Sequence, residues 1–171
     1  MNESQGTQRA NFEMQAEARP EDAERVRAEV KEFIRTTWPG FLVTLRKDGR
    51  PHGRPVDTFV EGWTVGTISQ GEHLKNAHIR NNPQVAYLWM ESPPTRGGRL
   101  RCVWLQGVCQ VVDDPEELAA FYRRREAATG VGARHADEEW TRLLLVTTPS
   151  LVRAEGFLGP QKPAIYRDFS R

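Results

Sequence analysis

Residues 41–90, FLVTLRKDGRPHGRPVDTFVEGWTVGTISQGEHLKNAHIRNNPQVAYLWM, decide how the rest of the chain is read. They open on an apolar extended run, FLVTLR, closed by the turn Lys47-Asp48-Gly49-Arg50. A second extended run, PHGRPVDTFV, turns at Glu61-Gly62 into a third, WTVGTIS. Asp-Gly and Glu-Gly between extended runs mark hairpins, because glycine supplies the positive φ that a tight turn needs. A short polar helix within GEHLKNAHIRNNP follows, and then the strand VAYLWM. The third run delivers Ser69, and the helix starts at His73 and Lys75. A hydroxyl, a lysine and the free N–H groups of a helix N-terminus thus converge on an anion site, with phosphate its natural guest.

Length and composition bound the rest. A chain of 171 residues is one domain with room for a sizeable core. Lys+Arg 24 against Asp+Glu 23 is almost balanced, so no global field steers the chain to nucleic acid. A local basic cluster remains, since Arg46, Lys47, Arg50 and Arg54 lie close together. Cys102 and Cys109 have neither zinc-finger nor redox spacing. They share one expected strand at odd separation, so they face opposite sides of the sheet and form no disulfide. That is the pattern of a reducing compartment, and no run reaches membrane-spanning length or resembles a leader. The expectation is a soluble, cytoplasmic protein without membrane or nucleic-acid partners.

Outward from the central stretch, residues 1–19 are polar and aperiodic and read as a flexible arm, leaving residues 20–171 for the domain. Pro20, Glu21 and Asp22 suit a first helical turn, and Val26, Val30, Phe33 and Ile34 recur at helical spacing until Pro39-Gly40. Beyond Met90, ESPPTRGGR is a loop by composition. LRCVWLQGVCQVV is a long strand, with Gly107 as a bulge or a point of close approach. Asp113-Asp114-Pro115 starts a helix that Gly130 ends. VGARHADEEW is ambiguous, with room for a short helix around Asp137 to Trp140. LLLVTTPSLVRAEGF is a strand interrupted at Pro149, and the tail GPQKPAIYRDFSR has little regular structure. About six antiparallel strands result, joined mostly by tight turns and flanked by two or three helices. Closure into a small barrel removes their exposed edges.

Three blocks, TLRKDGRPHGRPV, TISQGEHLKNAHIRNNPQVAYLW and WLQGVCQVVDDPEELAAFY, resemble the pyridoxamine 5'-phosphate oxidase-like family, the flavin-binding split barrels. The resemblance implies a mainly β, six-stranded antiparallel split barrel with flanking helices, homodimeric, with FMN in a groove between subunits. It also implies an oxidoreductase acting on a small organic substrate. In that family the second strand offers an arginine and backbone groups to the flavin, which places Arg54, Val56, Asp57 and Thr58 at the cofactor. The third strand and the following helix serve the phosphate, which adds Ile68, Ser69 and Lys75. His73-Leu74-Lys75 stands where the family often has Ser-Arg-Lys, so His73 replaces one of two basic groups in part.

The tail LGPQKPAIYRDF lacks the Arg- and His-containing signature that holds pyridoxal phosphate in true pyridoxamine phosphate oxidases, leaving only Lys162 and Arg167 as anion contacts. Vitamin B6 oxidation is therefore not expected. The alternatives to an FMN enzyme are a reductase using the deazaflavin coenzyme of the F-420 type, or a non-catalytic flavin- or heme-binding barrel. Taken alone, Lys75 is a solvated lysine, Ser69 a strand-end hydroxyl, Asp57 outward polarity and Arg54 the cap of a strand edge. His52 reads as solvated at the rim, and Trp89 and Trp104 read as packing. His78 and His135 lack partners at metal spacing. No nucleophile or general base emerges, so no catalytic side chain is assigned.

Overall fold

The computed structural model describes residues 20–91, 100–132, 141–158 and 162–169. The arm expected over 1–19, most of the loop after Met90 and most of the ambiguous VGARHADEEW segment, with His135, lie outside them. Helix α1 (Pro20–Thr36) leads into β1 (Gly40–Leu45), β2 (Pro51–Val56), β3 (Phe59–Glu61) and β4 (Thr64–Gln70). Helix α2 (Leu74–Asn81), β5 (Gln84–Met90), β6 (Cys102–Val112), α3 (Pro115–Thr129), β7 (Arg142–Glu155) and β8 (Ala164–Tyr166) complete the order. The protein is mainly β with three helices.

All eight strands belong to one antiparallel sheet in the order β2-β1-β5-β6-β7-β4-β3, with β8 added along β7. The two ends of that path, β2 and β3, are joined in sequence by Asp57 and Thr58 alone. Three virtual bonds of 3.80 Å cannot hold Val56 and Phe59 more than about 11 Å apart. The sheet must therefore curl until its ends meet at one corner. It is a barrel closed by covalent linkage there and open elsewhere.

The count of eight strands corrects the six expected from sequence, and the two reasons are local. PHGRPVDTFV reads as one strand but breaks at Asp57-Thr58, so β2 pairs with β1 while β3 pairs with β4. In the tail, Ala164–Tyr166 finds partners along Val152, Arg153 and Ala154 of β7 and becomes a strand. The strand expected to be interrupted at Pro149 instead runs straight through it. Gln106 pairs with Leu151 and Gly107 with Pro149, so Ser150 is the extra residue and the bulge lies on β7. A bulge is where a sheet tolerates proline's missing donor. Gly107 is the close-approach partner, for a Cβ there would lie 2.4 Å from the Thr148 carbonyl oxygen.

The core sits inside the curl. Leu42, Tyr87, Trp89, Val103, Leu105, Leu145 and Val152 are fully buried, and α1 lays Val26, Val30, Phe33 and Ile34 against them. Each such side chain contributes about 1.5–3 kcal/mol on burial, which fixes α1 to the barrel by its apolar face. A second cluster, Phe59, Phe121 and Leu144, holds α3 on the opposite face of the sheet at β4. Asp114 caps α3 by accepting from the Glu116 amide at 2.8 Å, and Gly130 ends it with a left-handed φ of 68°. Gly49 and Gly62 turn the two expected hairpins with φ of 80° and 63°. Cys109 is buried and Cys102 half-exposed on the other face, and both are free, as the odd spacing predicts. Among the described residues, no helix is long and apolar enough to cross a membrane.

Candidate functional site

The site is built where α2 lies along β2. On β2 the side chains of His52 and Arg54 share one face, because residues two apart on a strand point the same way. On α2 Lys75 and His78 share one face, being three apart on a helix. The two faces meet. His52 and His78 make an edge-to-face contact with ring centroids 5.6 Å apart, and His78 Nδ1 is 3.0 Å from Thr44 Oγ1 on β1. From β2, Arg54 acts electrostatically on both His73 and Lys75 at the start of α2.

Lys75 is the unusual member. Its side chain is buried, with 3% of its surface exposed, yet its polar contact is His73 Nδ1 at 2.8 Å. An ammonium has no acceptor, so Lys75 donates to Nδ1 and the proton of neutral His73 sits on Nε2, facing away from the lysine. Burial, with the Arg54 charge second, brings Lys75 down from 10.5 to about 8. Burial, then the charges of Lys75 and Arg54, hold His73 below its usual range, against a small opposing effect of Glu72. Among the described residues, none of the three forms an ion pair with a carboxylate. Three cation-capable groups therefore meet at a helix start with no side-chain cap and no acidic residue in its first turn. Such an arrangement is chemically suited to an anion.

Ser69 stands behind this cluster rather than in it. It is buried, and its hydroxyl donates to Asn76 Oδ1 at 2.6 Å, while Asn76 Nδ2 donates to the carbonyls of Gln70 and Gly71 at 2.6 and 3.0 Å. The expected offer of the hydroxyl proton to a phosphate is thus taken by Asn76. What Ser69 supplies is the rigid turn that aims α2. Asn76 was missed in the sequence because a lone asparagine in a polar helix is indistinguishable from surface until its strand-end carbonyls are placed.

The remaining expected residues go elsewhere. Val56 is in the core. Ile68 packs beside Phe59 and Phe121 under α3, on the face of β4 opposite Ser69. The Asp57 carboxylate pairs with Arg125 of α3, and Thr58 Oγ1 accepts from Trp89 Nε1 at 3.3 Å. Asp57 and Thr58 line a separate cleft of about 350 Å³, together with Trp38 and Arg124. Side chains thus bring together Arg54, His73 and Lys75, with Ser69 behind. Val56, Asp57, Thr58 and Ile68 do not join them. Among the described residues, no three His, Cys, Asp or Glu side chains converge as metal ligands.

The family model described as "Pyridoxamine 5'-phosphate oxidase" matches residues 26–154, which include both hairpins, α2 and the bulged strand. No curated protein sequence matches the chain. Among solved structures, a conserved hypothetical protein from Mycobacterium tuberculosis superposes with a TM-score of 0.64 at 23% identity, over 76% of this chain and 84% of the other. A heme binding protein from Mycobacterium smegmatis gives 0.67 at 20% identity, over 88% of this chain and 59% of its own. An F420 reductase gives 0.57 at 21% identity, over 71% and 94%. At such identities these three are evidence of a shared fold.

Proposed function

The chain belongs to the pyridoxamine 5'-phosphate oxidase family, and from that premise we propose that it is a flavin-dependent oxidoreductase that binds FMN and acts on a small organic substrate. The observation that carries the reading is the carboxylate-free cluster of the buried Lys75 with the half-buried Arg54 and His73 at the start of α2. The terminal phosphate of FMN fits it by charge and by donor set. Arg54 offers a guanidinium fork, Lys75 its remaining N–H groups, His73 its Nε2 proton, and the first turn of α2 its amides. The flavin, when bound, supplies hydride or electron transfer. The chain's own part is to hold the cofactor. Ser69 and Asn76 keep α2 in place, and the free edge of β2 presents backbone groups of the strand that carries Arg54.

A second copy of the chain completes the groove in this reading. The outward face of the sheet aligns Phe41 on β1, Leu88 on β5 and Trp104 on β6 in one row. Phe41, Met90 and Val108 on that face expose 42%, 44% and 41% of their surface. An apolar sheet face of this kind is the material of a homodimer interface.

Absorption of the purified protein tests the cofactor. Flavin bands are expected, a Soret band would point to heme, and absorption at shorter wavelength than FMN would point to the deazaflavin coenzyme. Titration tests the site. Lys75→Ala should weaken FMN binding by about ten- to a hundredfold, the worth of a charge-assisted contact of roughly 1.5–3 kcal/mol. Riboflavin, which lacks the phosphate, should bind wild type and variant almost equally. If both ligands are lost alike, the lysine is structural; if neither changes, the phosphate sits elsewhere.

A further inference from the structure

We propose that the Arg54–His73–Lys75 cluster is a proton-coupled receptor for a doubly charged anion, taking up a proton as its ligand binds and favouring a terminal phosphate monoester over a phosphodiester. This rests on the anion site argued above and adds its ligand class and its regulation by pH.

The argument starts from crowding. Lys75 Nζ touches His73 Nδ1 at 2.8 Å, the charge of Arg54 acts on both, and no carboxylate of the described residues pairs with any of them. Arginine stays charged at all working pH. Two further charges beside it, one of them on the buried Lys75, cost more than they return, so without a counter-charge the cluster sheds protons. Among the described residues, the acid that acts on His73 is Glu72, exposed in the turn before α2, and none acts on Lys75. Of the other elements packed on α2, β1 and β6 carry no Asp, Glu, Lys, Arg or His at all, and β2 adds, besides Arg54, only His52, which meets His78. Cys109 on β6 stays a neutral thiol, since burial pushes it up to about 11. His78, on the same helix, is turned to Thr44.

A bound anion reverses that balance. It supplies the missing counter-charge, and the first group to recover its proton is Lys75, which stands near 8 when the site is empty. The sign follows from linkage. Above pH 8 the free protein holds fewer protons than the complex, so binding takes up a proton and weakens as pH rises, by up to about tenfold per pH unit. The ligand does not confuse the count, because a phosphate monoester with its second pKa near 6 is already a dianion there. A phosphodiester carries one charge and one bridging oxygen more, and so compensates the cluster less.

The decisive experiment is titration calorimetry of FMN into the protein at pH 8.5, in two buffers of different ionisation enthalpy. Wild type should take up between about one half and one proton per FMN, and riboflavin almost none. Lys75→Arg, which cannot lose its charge, should bind FMN with no uptake. The cyclic phosphodiester of riboflavin should bind at least about tenfold more weakly than FMN. Phosphate-dependent binding without uptake, or equal binding of mono- and diester, overturns the proposal and leaves the phosphate site standing. Equal binding of FMN and riboflavin overturns the site itself. Sulfate, dianionic throughout, gives a flavin-free arm by thermal shift. Its stabilisation of wild type should fall between pH 7.5 and 9.5 and be smaller in Lys75→Met at the lower pH. Equal sulfate shifts in both proteins at every pH also overturn the proposal.

Discussion

Lys75, proposed above to meet the cofactor's phosphate, costs the protein stability when no anion answers its charge. A buried ammonium without a counter-ion opposes folding, and the sign can be worked out. In the unfolded chain it titrates near 10.5 and in the folded one near 8, so between those values the unfolded state holds more protons. Stability therefore rises with pH across that window, and the penalty is fully present below pH 8. Lys75→Met should raise the cofactor-free melting temperature at pH 7 by a few degrees, since relief of about 1–2 kcal/mol moves a chain of this size by roughly 2–4 °C per kcal/mol. At pH 10 the gap should nearly close. Melting curves at the two pH values, in a buffer free of sulfate and phosphate, measure both numbers. A variant that melts lower than wild type at pH 7 would show that the lysine packs more than it burdens. The sequence does place Ser69, His73 and Lys75 together, because strand, turn and helix are contiguous. It does not show that Lys75 is buried or that the charge of Arg54 acts on it, since both depend on how the sheet and α2 come together.

At the scale of elements, sequence reading succeeds where one residue type enforces the backbone and fails where pairing decides. Gly49, Gly62 and Gly130 each take a positive φ, and each was legible as a turn or a helix end. Asp57-Thr58 carries no such mark, yet it separates two strands at opposite ends of the sheet path. Ala164–Tyr166 is a strand only because β7 is long enough to lend it an edge. The seating of α3 is decided the same way. Gly66 on β4 lies under Phe121, where an added Cβ would come 2.2 Å from the ring. The ring is fixed by Phe59, with centroids 5.6 Å apart, so it cannot swing aside freely. Gly66→Ala should cost about 1–3 kcal/mol by overpacking. Adding Phe121→Leu to it should cost less than the two changes summed, a coupling that denaturant unfolding of the four proteins reads directly. Strict additivity would mean that α3 moves as a body and never meets the new methyl.

For the whole molecule, the question is what covers the outward face of the sheet. Water on a row of Phe41, Leu88 and Trp104 is unfavourable at about 25 cal/mol per Å² of apolar surface, and a standard interface buries about 800 Å² per partner. The same strands carry the core on their inner side, so among the described residues nothing can turn over to hide the face, and the proposed reading covers it with a second copy of the chain. Light scattering at micromolar concentration should therefore give twice the 19.5 kDa of one chain. Phe41 pairs with Pro55 on β2, one residue from Arg54, so the interface and the cation cluster share a strand. That proximity makes assembly and cofactor binding one equilibrium in the proposed reading. Phe41→Asp puts a charge at the β1 end of the row, on its most exposed side chain, while leaving Leu42 and the core untouched. It should yield a folded monomer, with unchanged far-ultraviolet dichroism, whose FMN affinity falls by at least about tenfold. A monomer that keeps full FMN affinity would place the whole cofactor site on one chain and end the idea of a groove walled by two.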